Sequence, residues 1–241
     1  MSSGIQINHL TTTYQGRLAL DDITTTLPRG QIIGIVGPNG AGKSTLIKSI
    51  LDIKAHSGKA TFTGKSIKAI QKKVAYVEQR SSLDLDFPIN VFETVLMGTY
   101  PTIGLFKHPK AQERDRALKA LDTVGMSSYA THQIGELSGG QLQRVFIARV
   151  LAQEAEWIFL DEPFIGIDMV SEQIIVDLLK TLRDQGKTIV IVHHDLSKVT
   201  HYFDSLIILK TALIAAGPVD KVFNQATLKI AYGTDFAHIR A

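Results

Sequence analysis

The chain opens with two segments rich in threonine and β-branched residues, a composition typical of β-strands. They cover residues 5–14 and 18–27 and are joined by a turn at Gln15-Gly16. Almost continuously apolar segments follow at residues 31–36, 157–160, 188–192 and 206–209. Such runs are expected for strands of a parallel sheet that is covered on both faces. Shorter strands are predicted at residues 59–62, 74–77 and 212–216. The last pairs with 206–209, although the turn at Lys210-Thr211 lacks the usual Gly or Asn.

Helical spacing of apolar residues begins after the first buried strand, at Leu46, Ile47, Ile50 and Leu51. The same period predicts helices at residues 90–97, 109–124 and 139–152, with no convincing strand between them, and another near 171–184. Elsewhere strands and helices alternate, which implies right-handed crossovers and a mostly parallel sheet. We therefore predict an α/β protein with a helical insertion at about residues 85–152.

Composition narrows the class of protein. Hydrophobic residues make up 44% and charged residues 20% of 241 residues, which predicts one soluble domain or a domain with an inserted subdomain. We see no signal peptide and no apolar run long enough to span a bilayer, so cytoplasmic residence is expected. The absence of cysteine excludes disulfides and thiolate metal sites. The net charge of +3 and pI near 9.0 are compatible with an anionic membrane surface or nucleotides. No long basic block supports nucleic-acid binding, and Lys72-Lys73 is the densest pair.

The segment between the strand at 31–36 and the next helix fits the phosphate-binding pattern G-x-x-x-x-G-K-[ST]. Its glycines permit close backbone approach, so that successive N–H groups and the positive end of the helix can face phosphates. Lys43 is expected to reach the β- and γ-phosphates of ATP, and the Ser44 hydroxyl to bind Mg²⁺. A chance match in a Gly-rich turn is the alternative, and the position between a buried strand and an amphipathic helix argues against it. The predicted nucleotide-binding residues of this loop are Gly37, Pro38, Asn39, Gly40, Ala41, Gly42, Lys43, Ser44 and Thr45.

A second candidate functional site lies at the end of the apolar strand 157–160, where Asp161 and Glu162 follow directly. An apolar strand is an unusual place for two adjacent carboxylates unless cations or water meet them there. The alternative is that Asp161-Glu162-Pro163 only caps the next helix.

The segment Leu137-Ser138-Gly139-Gly140-Gln141, combined with the phosphate loop, resembles the signature of the ABC-type ATPases. The resemblance extends along nearly the whole chain. It implies a P-loop NTPase (RecA-like) fold with a mostly parallel sheet, an N-terminal antiparallel β-subdomain and an inserted helical subdomain. We expect a single ABC ATPase domain over residues 1–241, with its core at about 1–84 and 153–241 and the helical subdomain at about 85–152.

The resemblance also implies roles for individual residues. Asp161 would hold the Mg²⁺ shell, and Glu162 would be the general base that polarises the attacking water. Gln79 would contact Mg²⁺ and sense the γ-phosphate, and His194 would orient the water as the switch histidine. Asp168 matches the family's loop that communicates with the opposite subunit, and His193, next to His194, is interpreted as structural or surface. Tyr14 is expected to stack on adenine, because an aromatic face matches a purine; a strand aromatic in the core is the alternative.

The signature motif implies a partner. It lies at a helix start, so it offers a second set of N–H donors for a phosphate. In the family this motif faces the γ-phosphate bound by the other subunit, so ATP would lie between Lys43 of one chain and the signature of its partner. A homodimer that closes on ATP and opens after hydrolysis follows. The residues assigned to this half-site are Ser138, Gly139, Gly140 and Gln141.

One cassette without membrane spans resembles the separate ATPase subunit of an importer, at the cytoplasmic face of the cell membrane. Its expected partners are an integral membrane permease and, indirectly, an extracellular metal-binding protein, with no nucleic acid. Phe164, Ile165 and Ile167 depart from the more widespread family pattern. Iron-chelate importers, soluble cassette ATPases and a non-hydrolysing regulatory cassette are the alternatives. The segments that resemble importers of manganese, zinc or iron are Gln79-Arg80-Ser81-Ser82, Asp86-Phe87-Pro88, Val95-Leu96-Met97-Gly98, Gly104-Leu105-Phe106, Pro163-Phe164-Ile165-Gly166-Ile167-Asp168 and His193-His194-Asp195-Leu196.

The transported ion is not expected to bind this chain, because its eight histidines are scattered without a supporting cluster of carboxylates. The permease is expected to insert a short helix into a groove between Gln79 and Met97. Part of the apolar set there belongs to the subdomain core and part to the groove. The set is Leu83, Leu85, Phe87, Val91 and Met97.

Overall fold

Two β-sheets form the framework of the protein. The computed structural model describes residues 4–14, 16–79, 87–104 and 107–233, and within these ranges a three-stranded and a six-stranded sheet are present. The strands are β1 (Gly4–Tyr14), β2 (Arg17–Pro28), β3 (Ile32–Val36), β4 (Ser57–Phe62), β5 (Val74–Val77), β6 (Trp157–Asp161), β7 (Thr188–Val192), β8 (Ser205–Lys210) and β9 (Ala212–Pro218).

The larger sheet has the strand order β5-β6-β7-β3-β8-β9. All neighbours in it are parallel except β8 and β9, which form an antiparallel pair at one edge. Side chains of the parallel strands alternate between two buried clusters, because successive residues of a strand point to opposite faces. The face toward the long helices carries Ile32, Val36, Ile158, Leu160, Ile189, Ile191, Leu206 and Ile208. The opposite face carries Ile33, Ile35, Trp157, Phe159, Val190, Val192, Ile207 and Leu209.

The smaller sheet is antiparallel, with the order β2-β1-β4. Its apolar side chains join the second of these clusters, so the two sheets share one core. Phe62 at the end of β4 makes edge contacts with Trp157 and Phe159, at ring-centroid distances of 5.3 and 6.3 Å. Such contacts add to the burial of large apolar area and fix the small sheet against the large one.

The helices are α1 (Lys43–Ile50), α2 (Ile67–Ile70), α3 (Val91–Leu96), α4 (Tyr100–Ile103), α5 (Ala111–Thr123), α6 (Gly139–Gln153), α7 (Met169–Asp184), α8 (Val199–Tyr202), α9 (Val219–Val222) and α10 (Gln225–Tyr232). Helices α3, α5 and α6 pack on one another, and no strand lies in the described residues between α3 and α6. Gly98, just after α3, makes this packing close, since a Cβ there would lie 2.1 Å from the Arg149 carbonyl oxygen of α6.

Every predicted strand and long helix is present, with ends that shift by up to two residues. The helix predicted at 109–124, for example, spans Ala111–Thr123. The pattern did not predict α2, α4, α8, α9 and α10, because most of these are single turns too short to show a period. The turn between β8 and β9 forms without Gly or Asn because Thr211 adopts a positive φ of 62°. Two hydrogen bonds hold this turn, from the Thr211 N–H to the Ala41 carbonyl and from the Asp21 N–H to the Thr211 carbonyl.

Some predictions fall outside the described residues. These concern the turn residue Gln15, the metal-importer motifs at Arg80, Ser81, Ser82, Asp86, Leu105 and Phe106, and the groove residues Leu83 and Leu85. No helix in the described part of the chain combines the length and apolarity that a membrane span requires.

Candidate nucleotide site

The strand order explains why the predicted site residues meet. Strands β5, β6, β7 and β3 are consecutive neighbours in the parallel sheet. Gln79 follows β5, Asp161 ends β6 and Glu162 follows it, His194 follows β7, and the phosphate loop follows β3. The carboxyl ends of parallel strands share one edge of a sheet, which is where open α/β sheets bind ligands.

The phosphate loop depends on two glycines for space and on one for backbone angle. A Cβ at Gly37 would lie 2.2 Å from the Leu209 carbonyl oxygen, and one at Gly42 would lie 2.4 Å from that of Ala19. Gly40 has open space around it and a φ of 78°, a conformation that favours glycine. Gly42 directly precedes α1, so the first N–H groups of that helix face the cavity around the loop. The loop therefore has the form of an anion cradle.

Lys43 is the charged group of this loop. Its side chain is buried, and its ammonium donates to the carbonyl oxygens of Gly37 at 2.9 Å and Pro38 at 3.0 Å. Burial lowers the pKa of Lys43, while the nearby charges of Glu162 and Asp161 act in the opposite direction. The ammonium is thus held by two backbone carbonyls of the loop and lies in the electrostatic field of two carboxylates.

Asp161 and Ser44 meet beside the loop. The Ser44 hydroxyl donates to Asp161 Oδ1 at 2.9 Å, and the Tyr76 hydroxyl lies 3.5 Å from Oδ2. Asp161 is 4% exposed, and burial raises the pKa of its carboxyl while the Ser44 hydrogen bond lowers it. Burial and the charge of Asp161 raise the pKa of Tyr76, so this phenol stays a neutral donor. A hydroxyl and a carboxylate this close are oxygen ligands of the kind that Mg²⁺ prefers.

Glu162 adopts a backbone conformation that is uncommon for a residue with a side chain. Its φ is 51°, and its N–H donates to the Val192 carbonyl of the neighbouring strand at 3.2 Å. Strain of this kind costs about 1–3 kcal/mol and is found preferentially at functional sites. The Gln79 side-chain amide donates to Glu162 Oε2 at 2.8 Å. The alternative that Asp161 and Glu162 cap the next helix is wrong, because α7 begins at Met169 and Asp168 is its N-cap.

The adjacent histidines differ in environment. His193 is 2% exposed and packs against the rings of Phe164, Tyr202 and Phe203. Burial lowers its pKa to about 4, so the ring is neutral near pH 7. His194 is exposed at the same edge of the sheet as Glu162. Of the two interpretations of His193, the structural one holds and the surface one is wrong.

The signature segment begins α6, as predicted. Ser138 is the N-cap and forms a capping box with Gln141, through bonds of 3.3 Å and 2.9 Å. A Cβ at Gly140 would lie 2.4 Å from the Ser171 hydroxyl, so α6 meets the start of α7 here. Hydrogen bonds from the Ser171 side chain and from the Ser171 N–H, the latter at 2.9 Å, lower the pKa of the Asp168 carboxyl. The signature and Asp168 are therefore joined in one surface.

Tyr14 is 54% exposed at the end of β1, so the alternative of a core aromatic is wrong. The Lys54 ammonium lies 3.9 Å from the centroid of its ring. Lys54 was not predicted, and the antiparallel pairing of β1 with β4 brings it to Tyr14. Of the predicted groove residues, Phe87 and Met97 are exposed, whereas Val91 is fully buried and belongs to the core.

A cavity of about 380 Å³ surrounds the loop, and it combines the loop with Glu162. Its lining residues are Ala19, Asn39, Gly40, Ala41, Gly42, Lys43, Ser44, Thr45 and Glu162. The signature residues, Asp168, Tyr14 and His194 are not among them. The structure thus brings together the loop, Asp161, Glu162 and Gln79, and it places the signature on another part of the surface.

Ala19 and Tyr76 also belong to this site and were missed by the sequence patterns. Ala19 lies in β2 and gave no chemical signal. Tyr76 could have been found from the pairing of β5 with β6, which sets Tyr76 beside Phe159, two residues before Asp161.

The parallel sheet and the loop at its carboxyl edge define a P-loop nucleotide-binding domain. Residues 20–165 match the family model described as ABC transporter. This match covers more than half of the chain, so the chain belongs to the ABC transporter family, and it is an ATPase domain of that family. The resemblance inferred from the signature motif is confirmed.

Curated relatives are similar to this chain along nearly its full length. The chain is 54% identical over 230 residues to the manganese transport system ATP-binding protein MntB of Listeria innocua, covering 95% of this chain and 96% of the relative. It is 46% identical to the zinc transport system ATP-binding protein TroB of Treponema pallidum, covering 95% and 86%.

Solved structures share the fold, which confirms the predicted fold class. One is a metal-chelate type ABC transporter in an inward-facing conformation, with a TM-score of 0.85, 28% identity, and coverage of 96% of this chain and 89% of the other. A nucleotide-free ATP-binding cassette has a TM-score of 0.80 at 24% identity and covers 99% and 98%, which supports the fold alone.

Proposed function

We propose that this chain is the ATP-hydrolysing subunit of an importer of divalent metal ions, manganese or zinc above all. The observation that carries the proposal is the meeting of the phosphate loop with Asp161 and Glu162, through the Ser44–Asp161 bond of 2.9 Å and the Glu162 side chain in the loop cavity. The choice of metal is supported by sequence identity, which is higher to the manganese and zinc subunits than to the metal-chelate transporter.

The loop binds the triphosphate through the backbone N–H groups of residues 37–45 and through Lys43. Lys43 exchanges its two loop carbonyls for phosphate oxygens, which are stronger partners for a buried ammonium. Ser44, Asp161 and Gln79 would hold Mg²⁺, which supplies charge neutralisation at the phosphates when bound.

Glu162 is the general base in this proposal. Its unusual backbone conformation aims the carboxylate into the loop cavity, and the Gln79 amide at 2.8 Å orients it. A carboxylate so held accepts a proton from water as that water attacks the γ-phosphate. His194, exposed on the neighbouring strand end, donates a hydrogen bond to the γ-phosphate and orients the water. Tyr14 stacks on adenine.

A second copy of the chain completes the site. At the start of α6, Ser138 is exposed, Gly139 and Gln141 are half-exposed and Gly140 is buried. None of these signature residues lines the loop cavity of its own chain. The start of α6 offers phosphate-binding N–H groups, and Asp168 lies beside it. In a C₂ homodimer each signature faces the loop of the partner, so each chain supplies half of two sites.

The remaining parts of the proposal concern organisation and location. The single domain over residues 1–241 comprises a core at about 1–84 and 153–241 and a helical subdomain at about 85–152, which carries the signature. Exposed Phe87 and Met97, with Tyr100, offer apolar contacts to the permease near Gln79. The chain then lies at the cytoplasmic face of the membrane as a peripheral subunit.

Substitution of Glu162 by Gln tests the proposed function. The amide keeps the size of the side chain but cannot accept the proton, so ATP hydrolysis should fall by about three orders of magnitude. Nucleotide affinity measured by calorimetry should stay within about threefold, because phosphate contacts are unchanged. The control is Glu154→Gln, an exposed carboxylate outside the site, which should hydrolyse ATP like the wild type. Wild-type turnover in Glu162→Gln would refute the assignment of the base.

A further inference from the structure

A second cavity, of about 410 Å³, lies at the opposite end of β5 and β6 from the candidate nucleotide site. It is formed where the residues before β5 meet the start of β6 and the turn after β4. Five of the side chains that line it are basic, and among the described lining residues Glu156 is the only carboxylate. The basic residues are Arg29, Lys65, Lys68, Lys72 and Lys73. We call this cavity the basic cavity.

Glu156 already binds two of these cations. It accepts hydrogen bonds from Lys73 at 2.6 Å and Arg29 at 2.9 Å, and the Lys73 contact lowers the pKa of its carboxyl. Lys65, Lys68 and Lys72 have no ion-pair partner in the described part of the chain. Arg29 is further fixed by its position 5.8 Å from the ring centroid of Trp157. One carboxylate thus organises two cations, and three ammonium groups remain uncompensated.

The charge of the basic cavity is large relative to that of the protein. The whole chain has a net charge of +3, yet the cavity lining alone has five positive groups against one negative. Like charges gathered around one concave surface repel one another, and a multivalent anion would relieve this repulsion at several groups at once. Lysine is a common phosphate ligand that acts as a point charge.

We propose that the basic cavity binds a small soluble anion carrying two or more phosphate groups, at a site distinct from the phosphate loop. The cavity volume lies in the range typical of small-molecule sites. The proposal does not depend on the function proposed for the loop, since the two sites share no lining residue.

Two other polyanions fit the cavity less well. Single-stranded nucleic acid binds by stacking on exposed aromatic side chains, but Trp157, the aromatic residue of the lining, is 3% exposed. An anionic membrane surface is usually met by exposed apolar side chains beside the basic ones. None of the large exposed apolar side chains in the described residues lines this cavity.

Fluorescence of Trp157 tests the proposal, because it is the only tryptophan of the chain. An anion that draws Arg29 away from the indole should change its emission. Trp157 begins β6 and the phosphate loop lies at the other end of the sheet, so the signal reports on the basic cavity. The probe is sodium pyrophosphate without Mg²⁺, titrated into wild type, Lys68→Glu with Lys72→Glu, and the charge-matched control Lys119→Glu with Lys229→Glu.

Wild type and control should show saturable binding, and the cavity variant should bind about tenfold more weakly or worse. The neutral pair Lys68→Gln with Lys72→Gln should weaken binding less, and circular dichroism confirms that each variant is folded. Equal affinity in wild type and cavity variant, or no saturable binding at all, overturns the proposal. Cavity-dependent binding of phosphatidylglycerol vesicles or of an oligonucleotide, without pyrophosphate binding, also overturns it. ATP hydrolysis should be the same in all of these proteins. Loss of hydrolysis in every one of them, wild type included, would contradict the function proposed for the phosphate loop and not the proposal for the basic cavity.

Discussion

Tyr14 and Lys54 form a contact that nucleotide binding must change. The Lys54 ammonium lies 3.9 Å from the centre of an exposed ring that is proposed to stack on adenine. A cation over an exposed aromatic ring is worth about 0.5–1 kcal/mol. Adenine has to displace the ammonium from that face, so Lys54 competes with the nucleotide.

Substitution of Lys54 by Ala should therefore lower the dissociation constant for ATP by about two- to fivefold. In a Tyr14→Ala background the same substitution should have no such effect, because the shared ring is gone. Fluorescence or calorimetric titration of the four proteins of this double-mutant cycle measures the coupling. Lys59→Ala, an exposed lysine in β4 just after Lys54, is the control. An unchanged or higher dissociation constant for Lys54→Ala in the Tyr14 background would contradict the competition.

The buried ring of His193 packs against side chains from two other parts of the fold. It follows β7 and contacts Phe164, in the turn after β6, and Tyr202 and Phe203, at the end of α8. Its Nε2 is buried and has no hydrogen-bond partner in the described residues, so protonation there is costly. Burial is the largest cause of its lowered pKa of about 4; His194 and Lys198 act in the same direction, and Asp195 and Glu172 oppose it.

The pH dependence of stability follows from the protonation of His193 in the folded and in the unfolded chain. Above about pH 6.5 the ring is neutral in both folded and unfolded chains and contributes no pH dependence. As the pH falls from 6.5 toward 4, the unfolded chain takes up a proton that the folded chain does not, so stability is lost across that window. The loss attributable to His193 is about 2 kcal/mol at pH 5.

Replacement of His193 by Gln should remove this contribution. The fall in melting temperature between pH 7 and pH 5 should be smaller in His193→Gln than in wild type by about 4–8 °C. Comparing each protein with itself at two pH values cancels the change in packing. His108→Gln, an exposed histidine, is the matched control. An identical pH dependence in His193→Gln and wild type would mean that the ring is protonated in the folded protein.

An exposed apolar patch lies on the surface of the molecule beside Asp168. Met169 is 80% exposed, Val170 is 72% exposed and Ile165 is 41% exposed, all next to the surface that joins the signature to α7. Neighbouring apolar side chains this exposed often mark an interface. The proposed homodimer covers this patch in the same closure that completes the site.

Substitution of Met169 and Val170 by Glu should weaken closure by about ten- to a hundredfold, because two apolar side chains lose their burial and two charges are added. Sedimentation with ATP measures the dimer when the two substitutions are made in the Glu162→Gln protein. When they are made in a protein that keeps Glu162, ATP hydrolysis should fall in parallel with dimer formation at low protein concentration. Leu118→Glu with Ile230→Glu changes two exposed apolar residues elsewhere and should leave both dimer formation and hydrolysis unchanged. Full hydrolysis by a strictly monomeric protein would refute the shared site.

Some features of the candidate site could be predicted from the sequence, and others could not. The phosphate loop, the carboxylates after β6 and the signature at the start of α6 were predicted because each combines distinctive residues with a strong local period. Val91 was assigned in part to a groove and proved fully buried, since helical spacing alone cannot distinguish the core from an apolar groove. Lys54 and Tyr76 were missed because their partners lie 40 and 85 positions away along the chain.

The sequence by itself determined the fold class, the phosphate loop and the family, because backbone conformation and phosphate chemistry depend on residues that are close in the chain. Only the tertiary structure decided which strand ends are neighbours, that Tyr14 is exposed beneath Lys54, that His193 is buried, and that basic residues from two separate segments surround one cavity. These features arise from strand order and side-chain packing, which depend on contacts between distant segments that no local pattern records.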